Sequence, residues 1–108
     1  MKKQFDEMNW MGGIKMYLRS TNVMLKPNSR QTAEKIGEYF NEIFKKQKGL
    51  KTVYFGTNDE IGASIVITVW ETKEDADVAT QKIFPLLQKE FGEYIKGAAT
   101  QVYEIVEL

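Results

Sequence analysis

The ten residues 61–70, IGASIVITVW, constrain this chain more than any other stretch. They are rich in β-branched side chains and too short for a buried helix, so they read as a strand. Successive side chains on a strand point to opposite faces. Ile61, Ala63, Ile65, Ile67 and Val69 therefore share one face, and Val66 and Trp70, with Ser64 and Thr68, share the other. A strand with water on one side alternates between apolar and polar residues. This one carries large apolar groups on both. Residues 14–25 behave in the same way: Ile14, Met16, Leu18 and Met24 stand with Ser20 and Asn22, opposite Tyr17, Arg19, Thr21, Val23 and Leu25. The fold must cover both faces of the sheet that holds these two strands.

The rest of the chain supplies one cover. After a break at KPNSRQ, Ala33, Ile36, Phe40, Ile43 and Phe44 recur at three-to-four spacing, which predicts an amphipathic helix capped at Asn28 or Ser29. The helix fades into KKQKG, where cations suit its end and Gly49 suits its exit. LKTVYFGT predicts a second strand and NDEIG a turn before the strand at 61–70. Thr72 predicts the cap of a second helix, with Glu74, Asp75 and Asp77 in its first turn and Ala76, Ala79, Ile83 and Leu87 as its buried stripe. Pro85 lacks an N–H and clashes with the preceding turn, so this helix is expected to break near Phe84 and resume to about Phe91. Gly92 and Gly97 punctuate the exit, and TQVYEIVEL predicts the last strand.

The order β-α-β-β-α-β is the split βαβ plan of ferredoxin-like α+β folds: a four-stranded antiparallel sheet with two helices on one face. Residues 1–13, with Phe5, Met8, Trp10 and Met11 before Gly12 and Gly13, read as an N-terminal arm, and 14–108 as one domain. Two helices cover one side of such a sheet. A second copy of the same face is the economical cover for the other, so a homodimer through the sheet face is expected.

Composition removes several classes of function. Fifteen basic and fifteen acidic residues cancel, so no charge excess supports capture of nucleic acid or a membrane surface. The longest apolar run is about half a membrane span, the first residues lack the apolar core of a signal peptide, and the cytoplasm is the expected compartment. With no cysteine there is no thiolate or disulfide, and with no histidine the usual haem and zinc ligand and the usual neutral-pH proton shuttle are missing.

Once Trp70 is placed at the end of the third strand, the sequence resembles the antibiotic-biosynthesis monooxygenase-like family of dimeric α+β barrels. The markers are IVITVWETKEDADVA, a strand ending in Trp before an acidic helix start; KGLKTVYFG leading into the second strand; and QVYEIVEL closing the sheet. The resemblance covers roughly residues 14–108. It implies a homodimer with a pocket between sheet and helices and, in some members, oxygenation of quinol-like aromatics without a cofactor. Other members degrade haem, using a strand-end Trp, an Asn on the first strand and a His on the second helix. Trp70 matches the first, Asn22 is the nearest candidate for the second, and nothing here matches the third.

Trp70 and Asn22 are thus the candidate catalytic residues, each with a plainer alternative: Trp70 as a core ring over the helix entrance, Asn22 as a turn or edge residue. Arg19, Tyr54 and Phe84 are the candidate substrate contacts. Arg19 could anchor an anion or pair with a carboxylate at the rim, Tyr54 could simply pack on the sheet, and Phe84 could fill the pocket itself. The function this implies is cofactor-independent monooxygenation of a small aromatic or apolar molecule. The alternatives are a non-catalytic binding or structural homodimer and, with an unusual ligand, a haem protein.

Overall fold

A computed structural model describes residues 15–108; the expected arm at 1–13 and Ile14 lie outside them. The elements run β1 (Tyr17–Met24), α1 (Arg30–Phe44), β2 (Leu50–Asn58), β3 (Ala63–Trp70), α2 (Lys73–Phe91) and β4 (Gly97–Glu104), with a single 3-10 turn at Gly92–Tyr94 between the last two. The sheet order is β2-β3-β1-β4, every pair antiparallel. β1 and β3 therefore occupy the middle, as the ferredoxin-like plan requires.

Register fixes which residues share a face, because directly paired residues point the same way. Thr21 pairs with Val66 and with Thr100, and Arg19 pairs with Thr68 and with Val102. This set lies under the helices. In β3 Ser64, Val66, Thr68 and Trp70 are all buried, while Ala63, Ile65, Ile67 and Val69 are only half-buried. The core is built from Val23, Val66 and Trp70 of the sheet, Leu25 just beyond β1, Ala33, Ile36, Phe40 and Phe44 of α1, and Ala76, Ala79, Ile83 and Leu87 of α2. Both helical stripes expected from spacing are thus the buried ones, except that Ile43 is only half-buried.

The opposite, open face has no cover from the described residues of this chain. Ile65, Ile67 and Val69 share it with Tyr54, Tyr103 and Met24, which are 63%, 51% and 41% exposed. This is the two-sided pattern of residues 61–70 made visible: the same strand holds a finished core on one side and an apolar surface on the other.

Local signals account for most of the boundaries. Thr72 is extended (φ −137°, ψ 156°) and its Oγ1 accepts from the Asp75 N–H at 3.0 Å, a side-chain N-cap. Ser29 is the N-cap residue of α1, but its hydroxyl makes no cap bond. Asn28 instead takes a left-handed backbone (φ 62°), which asparagine tolerates better than most residues. Gly62 (φ 76°) closes the β2–β3 turn, and an added Cβ there would lie 2.3 Å from the Leu25 carbonyl oxygen.

Two expectations about boundaries are corrected. α2 is continuous through Pro85 and does not break at Phe84. Pro85 is exposed, as is Gln81, whose carbonyl loses its usual partner, while Ile83 and Leu87 hold the helix to the core. β4 begins at Gly97 rather than after it and ends at Glu104. Met24 pairs with Gly97 and Tyr17 with Glu104, so β1 sets both limits.

Candidate functional site

The helix side of the two central strands is polar where a core would be greasy. Arg19, Thr21, Ser64 and Thr68 are all buried there. Arg19 stands in mid-strand on β1, pointing beneath α2, with 8% of its side chain exposed. Its Nη2 donates to Asp77 Oδ1 at 2.6 Å and its Nη1 to Thr100 Oγ1 at 3.1 Å. Thr100 and Thr21 exchange a hydrogen bond at 3.2 Å between their hydroxyls. Lys73, one turn before Asp77 on α2, donates from Nζ to the second carboxylate oxygen, Oδ2, at 3.3 Å. The result is a polar seam between β1, β4 and α2, with a buried guanidinium as its floor and the Asp77 carboxylate, 40% exposed, as its outer end.

A buried guanidinium is costly unless its N–H groups find acceptors. Arg19 Nε is buried and has no hydrogen-bond partner among the described residues. Every other part of the seam is bonded, which makes this one orphan donor conspicuous.

Trp70 sits beside the seam but belongs to the core. It is fully buried, its ring meets Phe44 edge-on at 5.9 Å between centroids, and its Nε1 donates to Thr68 Oγ1 at 2.7 Å. Thr68 Oγ1 in turn reaches the Arg19 carbonyl oxygen at 3.5 Å, at the outer limit of a hydrogen bond. The indole N–H is therefore already committed.

The expected site residues separate. Trp70 and Arg19 lie on the helix side, and Phe84 is half-buried on α2 against the same core. Asn22 and Tyr54 lie on the open face: Asn22 pairs with Ile65 and Tyr54 with Ile67. Asn22 cannot share a pocket with Trp70, because the sheet stands between them. It lines instead a hollow of about 390 Å³ with Gly56, Asn58, Ile61 and Ala63. Arg19 is no rim residue; its carboxylate partner is at the rim and the guanidinium is beneath it. The residues missed by sequence reasoning are Asp77, Thr100 and Thr21. Thr21 and Thr100 carry a signal, since hydroxyls recurring on a strand's core side need partners, but Asp77 looked like a helix-start acid and nothing more.

Titrating groups with shifted pKa values lie away from the seam. The Glu71 and Glu42 carboxyls are held below the usual range by bonding to Lys51 and Lys45. Partial burial, then Glu90, pushes the Tyr39 hydroxyl up, and bonding to Glu93 does the same for Tyr94. Among the described residues no three His, Cys, Asp or Glu side chains converge to hold a metal ion, and no helix is long and apolar enough to cross a membrane.

No family model and no curated relative matches the sequence. Solved structures do. SnoaB, a cofactor-independent oxygenase from Streptomyces nogalater, superposes with a TM-score of 0.71 over 87% of this chain and 96% of its own, at 11% identity. The chain has the fold of the antibiotic biosynthesis monooxygenases. A protein from Bordetella bronchiseptica provisionally described as such a monooxygenase gives 0.68 at 18% identity, covering 87% of this chain and 98% of its own. A Nitrosomonas europaea protein of unknown function gives 0.73 at 7% identity, over 88% and 93%. At these identities the likeness is one of fold, and the monooxygenase fold thus spans proteins with and without an assigned reaction.

Proposed function

We propose that this protein is a homodimer that binds a small aromatic or otherwise apolar substrate between sheet and helices and oxygenates it without a cofactor. The observation that supports the binding site is the buried polar seam, whose Arg19 Nε lacks a partner among the described residues, inside a core that otherwise needs no charge. The fold likeness to a cofactor-independent oxygenase supports the reaction class. The half-exposed Ile65, Ile67 and Val69, with Tyr54 and Tyr103, support the dimer.

The chemistry asks little of the protein. A ring CH2 activated by neighbouring hydroxyl or carbonyl groups becomes C=O, and the other oxygen atom leaves as water. The four electrons that reduce O2 all come from the substrate, so no external reductant enters. The substrate must first lose a proton to become an electron-rich enolate or phenolate. The protein then holds the anion and keeps water away. Asp77 is the carboxylate bonded to the seam and the one acid there that could accept the proton.

A second reading, a binding or scaffolding dimer without catalysis, is favoured by one specific observation: Trp70 is fully buried and its N–H is spent on Thr68. Oxygen uptake with a panel of dihydroxy-aromatics and hydroxyanthrones separates the two. Uptake that depends on the seam supports the oxygenase. No uptake, with a Trp70→Phe variant that differs from the parent only in stability, leaves the binding dimer.

A further inference from the structure

The open face is uneven along its strands. Register divides it into four rows, each running across β2, β3, β1 and β4. The first row is Thr52, Val69, Leu18 and Tyr103, and the second is Tyr54, Ile67, Ser20 and Gln101. The third is Gly56, Ile65, Asn22 and Ala99, and the fourth is Asn58, Ala63, Met24 and Gly97. Both tyrosines, 63% and 51% exposed, stand in the first two rows. Every glycine and alanine of the face lies in the last two. There, above Gly56, Ala63 and Asn22, is the hollow of about 390 Å³, a size that takes a small ligand or an aromatic side chain.

Packed sheets stack about 10 Å apart, so a tyrosine on one needs low ground opposite it. A two-fold axis crossing the strands between the second and third rows provides it, because it sets each row of one copy on the opposite row of the other. Tyr54 then falls on the partner's Gly56, Tyr103 on the partner's Gly97, and Val69 on the partner's Ala63. Large meets small. The remaining positions match in kind: Ile67 with the partner's Ile65, Leu18 with the partner's Met24, and Ser20 with the partner's Asn22. An axis along the strands does the reverse. It sets Tyr54 against the partner's Gln101, Gly56 against the partner's Ala99, and the Asn22 amide against the partner's Ile65, where it finds no acceptor or donor. Aligned sheets cross at about 30°, which displaces the outer strands by roughly 4 Å, and a hollow two rows long takes up that shift.

We propose that two copies meet in this antiparallel register, with Tyr54 of each seated in the hollow of the other and the Ser20 hydroxyl donating to the side-chain oxygen of the partner's Asn22. This rests on the homodimer proposed above and adds which side chains fit it together. The face has the area that a standard interface takes from each partner, about 800 Å². The register also gives Asn22 a use: an exposed amide on an apolar sheet face gains its partner when that face is covered.

The test is an exchange of bump and hole, read by sedimentation velocity with circular dichroism as the folding control. Gly56→Leu fills the hollow, and Tyr54→Ala removes the ring that seats in it. Neither change reaches the core: Tyr54 is exposed, and a Cβ on Gly56 meets only Ile65, at an ordinary 3.5 Å. Each variant alone is expected to dimerise about a hundredfold more weakly than the parent, since two-fold symmetry applies its defect twice. An equal mixture of the two is expected to recover most of the parent's dimerisation. One junction of the mixed dimer is then native, and at the other the added leucine lies opposite the missing ring. A mixture that stays at 12.5 kDa, when the parent doubles and Ile67→Lys separates it, leaves the face in use and overturns the register. So does a Gly56→Leu variant that dimerises as tightly as the parent. A parent that is itself monomeric overturns the dimer and the register together, and residues 1–14 become the candidate cover. If Gly56→Leu does not fold, Gly97→Leu mixed with Tyr103→Ala repeats the exchange on β4, where a Cβ on Gly97 meets nothing within 4 Å.

Discussion

Ile67→Lys tests the dimer at its centre. Ile67 lies in the middle of β3, paired with Ser20 on one side and Tyr54 on the other, on the open face. Four strands about 4.8 Å apart, eight or nine residues long at about 3.3 Å per residue, make a face roughly 19 by 26 Å. That projection of about 500 Å² corresponds, once side-chain relief is included, to an interface near the usual 800 Å² or so per partner. In the separate chain Ile67 is only half-buried, so lysine there leaves the core alone. In the dimer it removes an isoleucine from the interface, about 2 kcal/mol, and buries an ammonium with no partner, several kcal/mol more. Two-fold symmetry applies both costs twice. Even if each lysine escapes along its stem to the rim and halves the total, on the order of 4 kcal/mol remains, about a thousandfold in dissociation constant. Sedimentation velocity across a concentration series, with circular dichroism as the folding control, should show the parent at twice 12.5 kDa and the variant at 12.5 kDa. A parent that stays at 12.5 kDa at micromolar concentration, or a variant that dimerises as tightly as the parent, would refute the proposed use of this face.

Three further outcomes follow from local structure. Thr72→Ala removes the hydroxyl that accepts from the Asp75 N–H and should cost about 1 kcal/mol in urea unfolding, with no effect on dimer mass. Pro85→Ala restores a missing N–H in a helix that is already continuous through the position; it should stabilise by about 2 kcal/mol, the interior-proline penalty less the entropy that proline removes from the unfolded chain, and destabilisation would mean that the ring packs. Glu71, whose carboxyl is held below its ordinary value by Lys51, contributes stability that is fully present above the unfolded-chain pKa and lost as pH falls through the depressed folded one. Glu71→Gln should therefore lower stability slightly in the neutral region, leave it unchanged at low pH, and so flatten the acid limb of the profile.

Much of the fold was legible because two periodicities rarely conflict. Alternation in residues 17–24 and 63–70 gives strands, three-to-four spacing of Ala33, Ile36 and Phe40 and of Ala76, Ala79 and Ile83 gives helices, and Thr72 marks a boundary by capping. Pro85 misled because its local penalty is real but smaller than the packing of Ile83 and Leu87 around it. The site was less legible for two reasons. Asn22 and Trp70 were joined through a family likeness, although strand parity alone places them apart: Asn22 shares its face with Met24 and Trp70 shares its own with Val66. Asp77 could not be recognised at all, since its partner lies fifty-eight residues away on another element and only the crossing of α2 over β1 brings them together.

That crossing gives the sheet two separate tasks, one on each face, and the parity of β1 assigns them. Odd-numbered residues of β1 build the seam, Arg19 and Thr21 among them, and even-numbered residues, Leu18 to Met24, build the surface offered to a second copy. A slip of one residue would exchange the two sets, placing a guanidinium in an apolar interface and Leu18 where Asp77 needs a cation. Point substitutions, by contrast, should act on one face at a time. Ile67→Lys should separate the copies and leave the Arg19 Nε–H resonance in place, while Asp77→Asn should change that resonance and leave the mass unchanged. If either substitution moved both readouts together, the two faces would be coupled through the sheet, and the dimer would itself be part of the binding site.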